Sequence, residues 1–333
     1  MKAIVMSKPG TPEVLELQDV PPPQITQPQQ ILVKLQAAGI NPIDTKIRSR
    51  GTFYPDQMPA ILGCDGAGIV EAVGNKVQKF QPGDEVYFCA GGLGEKGTGN
   101  YAEYAVVEEH FVALKPKSLS FEEAAAAPLV LITAWEALYD RGRVEAGNTV
   151  LVHGGAGGVG HVAIQLAKIK GAKVATTVSS PDKERLVLNL GADKPILYRQ
   201  TDFVEAVLSW TNGKGVDVAF DTIGGKVFFD TCNAVKIYGD LVTILEPNPD
   251  LGTLKVARQR NLRIGLELML TPMLKGLVEY QKYHGEILRQ CATWIDEQKL
   301  KIHLQHSFPL AEVAIAHKTL EQGSMTGKIA LSI

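Results

Sequence analysis

The apolar positions of this 333-residue chain change their spacing along its length. Before Phe121 they fall in short runs, residues 3–6, 31–37, 68–73, 85–88 and 104–107, separated by Pro and Gly, which predicts a mainly β region. From Phe121 the stretch FEEAAAAPLVLITAWEAL has helical spacing. From Val150 apolar β-branched runs alternate with helical ones. Residues 150–152, 173–178, 216–220 and 241–245 read as buried strands, and the alternation predicts a parallel doubly wound sheet with helices on both faces. The tail returns to helix near residues 286–298 and to a last strand at 328–333, which is expected to complete the first region by covering a strand edge.

One strand-to-helix junction carries the chemistry. Residues 150–168 read VLVHGGAGGVGHVAIQLAK: an apolar run, then Gly155, Gly157 and Gly160 at G-x-G-x-x-G spacing, then Val162, Ala163, Leu166 and Ala167 on one helical face. In such a turn the first glycine permits the tight bend and the second lets backbone N–H groups approach a pyrophosphate. The third lets the helix pack on the strand, with its N-terminus facing the anion. Among 33 glycines such a triplet arises by chance, so context decides. The second strand, at 173–178, closes a βαβ unit of about 30 residues, as a dinucleotide site requires.

The end of that second strand selects the cofactor. An acid about 20 residues past the glycines would bind the 2′-hydroxyl of NAD, whereas a 2′-phosphate needs donors and positive charge. Ser179, Ser180, Lys183 and Arg185 stand there, and Asp182 sits where a helix N-cap or first turn takes an acid. NADPH is the expected cofactor. The competing reading makes Lys183 and Arg185 a solvated helix face.

Composition narrows the classes. The length suits two domains, and a formal charge of −2 offers nothing to nucleic acid or to an acidic membrane. Cys64, Cys89, Cys232 and Cys291 lie far apart without a C-x-x-C pair, which argues against a disulfide framework or zinc knuckle and for a reducing compartment. The start, MKAIVMSKPG, is too short for a signal-peptide core. The longest apolar segment, residues 124–135, is interrupted by Pro128 and is shorter than the roughly 20 residues of a membrane span. A cytoplasmic location is expected. His153 is read as packed beside the glycine turn, and His303, His306 and His317 have no metal spacing.

Five ordered segments, GINPIDTKIRSRG at 39–51, GCDGAGIVEAVG at 63–74, FQPGDEVY at 80–87, GNYAEYAVV at 99–107 and the glycine turn at 150–168, resemble the medium-chain dehydrogenase/reductase superfamily. Within it the chain is most similar to the zinc-free quinone oxidoreductase branch that includes zeta-crystallin. The resemblance covers nearly the whole chain and implies an α/β fold. A central Rossmann doubly wound parallel sheet would span residues 125–277, with a mainly β GroES-like catalytic domain from residues 1–124 and 278–333. For the cofactor it implies Asn41 beside the nicotinamide, Ala156, Gly157, Gly158 and Val159 at the pyrophosphate after Gly155 of the spacing, and Ser179, Lys183 and Tyr198 at the adenosine phosphate, beside the Ser180 already read there. Thr133, Thr222, Ile223 and Leu245 are expected near the nicotinamide half. Lys328 is expected to reach the cofactor from the tail, with a solvated lysine as the competing reading.

The zinc-dependent alcohol dehydrogenases of that superfamily carry Cys where Asn41 stands and a His-Glu pair where Cys64 and Asp65 stand. Catalytic zinc takes three protein ligands, typically thiolate and imidazole. Asn41 is a poor ligand and the motif holds no His, so no metal is expected, and Cys64 is read as a small buried hydrophobe. Cys89 alone, beside the loop at 90–99, replaces the four closely spaced Cys of a structural lobe.

Without a strong Lewis acid the substrate must itself be electrophilic. Quinones and α,β-unsaturated carbonyls qualify, since accepting hydride leaves a delocalised phenolate or enolate that hydrogen-bond donors stabilise. The candidates for catalysis are Asn41, Tyr54 and Asp44. Tyr54 is equally a packing aromatic. Asp44 is read first as a structural hydrogen-bonding residue, since nothing near it in sequence argues for a shifted pKa. Many zinc-free relatives have Tyr where Lys46 stands, which leaves Lys46 without a role.

Two alternatives stand beside this reading: an alcohol or carbonyl dehydrogenase on less activated substrates, and a cofactor-binding protein with a non-catalytic role. The segment RIGLELML at 263–270 reads as an edge strand, and the resemblance implies a homodimer through it.

Overall fold

The computed structural model describes residues 1–333, which divide into two compact units. One comprises Met1–Leu129, Leu270–Gln298 and Ile302–Ile333, the other Val130–Met269 and Lys299–Lys301.

The second unit is built on a six-stranded, all-parallel sheet in the order Lys194–Leu197, Lys173–Val178, Thr149–Val152, Val216–Asp221, Val235–Thr243, Arg263–Leu266. This is the doubly wound order, with the strand order reversing beside the glycine-turn strand Thr149–Val152, and ligands of open α/β sheets collect outside the strand ends at that switch point. Leu151, Ala219 and Leu241 on its strands pack with Phe228 and Phe229 in one core cluster. The helix Gly160–Ile169 is buried at every position from Gly160 to Ala167, a deeper burial than one apolar face requires.

Two expected elements differ. The strand expected at 241–245 ends at Thr243, because the Thr243 hydroxyl accepts the Leu245 N–H at 3.1 Å and turns the chain out of the sheet. Leu245 therefore lies beyond the strand. The helical run from Phe121 breaks into Phe121–Ala125 and Pro128–Trp135, followed by a wide π turn at Glu136–Arg141. Pro128 cannot donate to a preceding turn and instead opens a new helix.

In the first unit a seven-stranded sheet follows the order Leu304–Pro309, Lys328–Ser332, Gln30–Ile40, Asp65–Val73, Glu85–Cys89, Val112–Leu114, with Tyr104–Glu108 paired to the first half of Gln30–Ile40. The tail strand lies antiparallel on Gln30–Ile40, Ile329 opposite Ile40, so the chain end covers that edge. Ile31, Val33, Leu35, Val86 and Phe88 form the core beneath.

This register gathers four strand termini at one end of the sheet. Asp65 stands opposite Gly39 and Cys89, while Lys328 precedes Ile329 and Asn41 follows Ile40. A side chain at Gly39 would meet the Ala125 carbonyl oxygen at 2.3 Å and Asp65 Cβ at 2.9 Å, so only glycine lets these termini close up.

Candidate functional site

The glycine turn of the second unit is held from beneath by side chains. Gly154, at φ +63°, is the left-handed residue of the bend, a role the spacing had assigned to Gly155. Gly155 is required for another reason: a Cβ there would lie 1.9 Å from Thr176 Oγ1. At Gly160 a Cβ would lie 2.2 Å from the Gly154 carbonyl oxygen, as expected for close helix packing, whereas at Gly157 the nearest atom would be 3.2 Å away.

His153 is buried under this turn. Its Nε2 lies 2.8 Å from Thr231 Oγ1 and its Nδ1 lies 3.2 Å from Thr177 Oγ1, which also accepts the Gly154 N–H at 3.0 Å. Burial pushes its pKa down to about 4, against the pull of Asp221, so the ring is neutral. The Thr222 hydroxyl donates to the His153 carbonyl at 2.8 Å. Asp221, fully buried, accepts the N–H groups of Ile223 and Gly224 at 2.9 Å and the Thr243 hydroxyl at 2.9 Å. It shapes the DTIGG turn that carries Thr222 and the half-exposed Ile223. Asp221 had no role in the sequence reading. Its position at a strand end before two glycines was the available signal.

At the end of Lys173–Val178, Ser180 caps the helix Pro181–Asn189, its hydroxyl accepting the Lys183 N–H at 3.4 Å. Lys183 is partly buried, and its pKa is lowered by burial and by the neighbouring positive charge of Arg199. Tyr198 is half exposed, and its N–H donates to Val178 O at 3.2 Å. Arg185 pairs with Asp182 and is largely solvent-exposed. The second cation beside Lys183 is therefore Arg199, next to Tyr198, a residue the sequence reading passed over.

The first unit holds a buried polar centre at the gathered strand termini. Asn41, Asp44, Asp65, Lys328 and Tyr101 are all buried. The Asn41 amide nitrogen donates to Asp65 Oδ2 at 2.8 Å, and its oxygen accepts from the Lys328 ammonium. Lys328 also donates to Ile40 O at 2.9 Å, and Asp65 Oδ1 accepts the Leu129 N–H at 2.9 Å. Burial pushes Lys328 and Asp65 toward their neutral forms, and their mutual attraction opposes it. Lys328 is thus not a solvated lysine: its side chain is buried and its ammonium is held by Ile40 O and the Asn41 amide oxygen.

Asp44 accepts the Asn41 N–H at 2.8 Å and the Tyr101 hydroxyl at 3.0 Å, and Tyr101 lies 3.3 Å from His317 Nε2. Burial raises its pKa to about 7, with the nearby Asp65 adding to the rise. The absence of any sequence signal for a shift was misleading, because the groups that enclose Asp44 come from remote segments. The Cys64 thiol lies 4.0 Å from Asp44, and burial together with the two carboxylates holds it neutral.

Tyr54 lies apart from these hydrogen bonds, lining a cavity of about 440 Å³ in the same unit with Gly91, Leu93, Asn100, Met273 and Leu274. The chain near Tyr54, the loop at 90–99 and the segment after 270 meet there. Thr133, in Pro128–Trp135, is buried.

Residues 27–117 match the family model of the alcohol dehydrogenase GroES-like domain, and residues 190–331 match that of the zinc-binding dehydrogenases. The quinone oxidoreductase of Pseudomonas aeruginosa is 33% identical over 99% of this chain and 99% of its own. An alcohol dehydrogenase superfamily protein from Novosphingobium aromaticivorans superposes with a TM-score of 0.91 at 35% identity, covering 100% of this chain and 99% of its own. The Escherichia coli quinone oxidoreductase complexed with NADPH superposes with a TM-score of 0.85 at 30% identity, covering all of both chains.

The residues present do not fit a zinc ion. Both ends of the Asn41 amide are engaged, each Asp65 oxygen already accepts a hydrogen bond, and an ammonium stands among them. No group of three or more His, Cys, Asp or Glu side chains is placed to hold a metal ion.

Proposed function

Because the chain belongs to the medium-chain dehydrogenase/reductase superfamily, in the branch of the quinone oxidoreductases, we propose that it carries hydride from NADPH to quinones or α,β-unsaturated carbonyls without catalytic zinc. The observation that carries this reading is the polar centre of the first unit, whose one cation is an ammonium hydrogen-bonded to Asn41. A centre of that kind does not polarise an unactivated carbonyl as a metal does, so the acceptor must stabilise the arriving charge itself.

The groups that would hold NADPH are those assembled in the second unit. The turn from Gly155 to Val159 would take the pyrophosphate on its backbone and on the N-terminus of Gly160–Ile169. Lys183 and Arg199, with Ser179, Ser180 and Tyr198, would take the 2′-phosphate, since paired cations suit a dianion. Thr133, Thr222, Ile223 and Leu245 would border the nicotinamide half. When bound, the nicotinamide supplies the hydride, and the protein supplies orientation and electrostatics. Asn41 keeps one N–H that no protein group takes, and we assign it to an oxygen of the substrate or the nicotinamide. Tyr54 would act as a wall or a phenolic donor, and Asp44, near-neutral in pKa, as a proton-holding group behind Asn41. We read the edge strand Arg263–Leu266, with Leu266 and Leu268 exposed, as a homodimer contact. The four free, buried cysteines accord with a cytoplasmic location, and no helix is long and apolar enough to cross a membrane.

The test is anaerobic oxidation of NADPH by chelator-treated protein with 1,4-benzoquinone, 9,10-phenanthrenequinone, an enal and a simple aldehyde. Turnover of the quinones or the enal is expected, weak with NADH. The Lys183→Ala and Arg199→Ala variants should each raise the KM for NADPH roughly tenfold or more while leaving that for NADH unchanged. Activity lost on chelation, or confined to the aldehyde, overturns the reading.

A further inference from the structure

A buried lysine at the first position of a sheet-core strand is costly, and the hydride-transfer chemistry above gives it no task. We propose that Lys328 is a positioning residue that fixes the direction of the Asn41 amide. This rests on the reading of Asn41 as the donor that meets the reacting groups.

The two ends of an Asn side chain are nearly the same size, so packing alone does not decide which end carries the oxygen. Charge decides it at Asn41. An ammonium has donors only, and an ionised carboxylate has acceptors only. Lys328 therefore takes the amide oxygen, and Asp65 Oδ2 takes the amide nitrogen at 2.8 Å. Turning the amide over would set N–H against ammonium and carbonyl against carboxylate. The amide is planar, so once one N–H points at Asp65 the direction of the other is determined.

Each partner is itself held by the backbone. Lys328 is anchored on Ile40 O at 2.9 Å, directly before Asn41, and Asp65 is anchored by the Leu129 N–H at 2.9 Å. Sheet register sets the same geometry, since Ile329 pairs with Ile40 and Asp65 with Gly39. Lys328 and Asp65 thus read the polarity of Asn41 from opposite sides, and neither works without the other.

The experiment separates positioning from charge balance. Lys328→Met keeps much of the stem and removes the ammonium but leaves Asp65 unbalanced. The double variant Lys328→Met with Asp65→Asn restores neutrality and still lacks the polarity lock. Both are compared with wild type for kcat on the accepted quinone, NADPH affinity by nucleotide fluorescence, and hydrogen exchange of the Asn41 side-chain amide by NMR. We expect kcat to fall about 100-fold in both, the loss typical of a small misplacement of a reacting group, with NADPH affinity changed by less than about threefold. Exchange at the Asn41 amide should speed at least about tenfold, since the bond to Asp65 no longer has a fixed partner orientation. In Lys328→Ala, ethylammonium but not sodium should restore a measurable part of kcat.

Wild-type turnover in a folded double variant overturns the proposal. So does unchanged amide protection in Lys328→Met, or stoichiometric zinc retained by wild type after dialysis against the metal. If wild type reduces none of the acceptors, the functional reading falls, and amide exchange still decides the role of Lys328.

Discussion

The Thr231 hydroxyl fixes the tautomer of His153. Thr231 gives its single hydrogen to Val227 O at 2.6 Å, so at 2.8 Å from His153 Nε2 it can only accept. Nε2 must carry the proton, Nδ1 is the acceptor, and Thr177 points its hydrogen at Nδ1 while accepting the Gly154 N–H. A neutral imidazole beneath the glycine turn thereby holds the turn's first amide.

Replacing His153 with Phe keeps the ring and its edge-on contact with Phe203 at 4.8 Å but strands both hydroxyls. Stability should fall by roughly 2–5 kcal/mol, the cost of two buried groups losing a partner, and NADPH should bind more weakly. Wild-type His153 also makes acid destabilising. Its folded pKa of about 4 lies below the ordinary 6.5, so the unfolded chain takes up the proton first and stability declines as pH falls from 6.5 toward 4. Urea unfolding of both proteins at pH 7 and pH 4.5 checks this. A gap that fails to narrow in acid rules out the buried neutral ring.

The two outer glycines of the motif should respond differently from the middle one. Gly160→Ala drives a Cβ to 2.2 Å from a backbone oxygen that cannot move aside, whereas Gly157→Ala meets its nearest atom at 3.2 Å. Gly160→Ala should cost about 1–3 kcal/mol of stability, as overpacking does, and Gly157→Ala less than about 1 kcal/mol. Thermal melts of the apo proteins decide it, and equal losses would show that the turn is not held as described.

Asp44 imposes a penalty of opposite pH sense. Its folded pKa of about 7 lies above the ordinary 3.8, so stability is lost as pH rises between those values. A shift of that size corresponds to roughly 4 kcal/mol. Asp44→Asn should therefore gain on wild type between pH 4.5 and pH 8, measured by denaturant midpoints, and a constant difference would mean that the carboxyl is already ionised in the fold.

Glu267 and Glu136 form a second buried acid pair, in the other unit. Burial and the Glu136 carboxylate raise Glu267 to about 8, although Arg141 lies 2.9 Å away and pulls it down. Ionisation above pH 8 should loosen the chain just past the edge strand, where the Glu267 N–H bonds Thr243 O at 2.9 Å. Hydrogen exchange at that amide should accelerate above pH 8 beyond intrinsic base catalysis in wild type and not in Glu267→Gln. The same rate excess in the variant would remove the pair as its cause.

Much of the second unit was legible in the chain. The strand at 173–178 was read to the residue, and a helix was expected directly after the glycine turn, where Gly160–Ile169 stands, because both depend on interactions within a few dozen residues. Where local side chains competed with pattern the reading slipped: the Thr243 hydroxyl ended a strand early, and Gly154 rather than Gly155 took the left-handed bend. Arg185 and Arg199 look alike in sequence, and only the pairing of Arg185 with Asp182 separates them.

By itself, the order of apolar runs, glycines and charges determined a parallel nucleotide-binding sheet and a mainly β partner region, since each follows from the periodicity or identity of neighbouring residues. What the tertiary structure decided is the polar centre. Lys328 and Asn41 are 287 residues apart, and Asn41 and Asp65 are 24 apart. Only strand register brings them within hydrogen-bond reach, and only removal from water, with Asp65 close by, raises Asp44 and sets Lys328 inside the fold rather than on its surface.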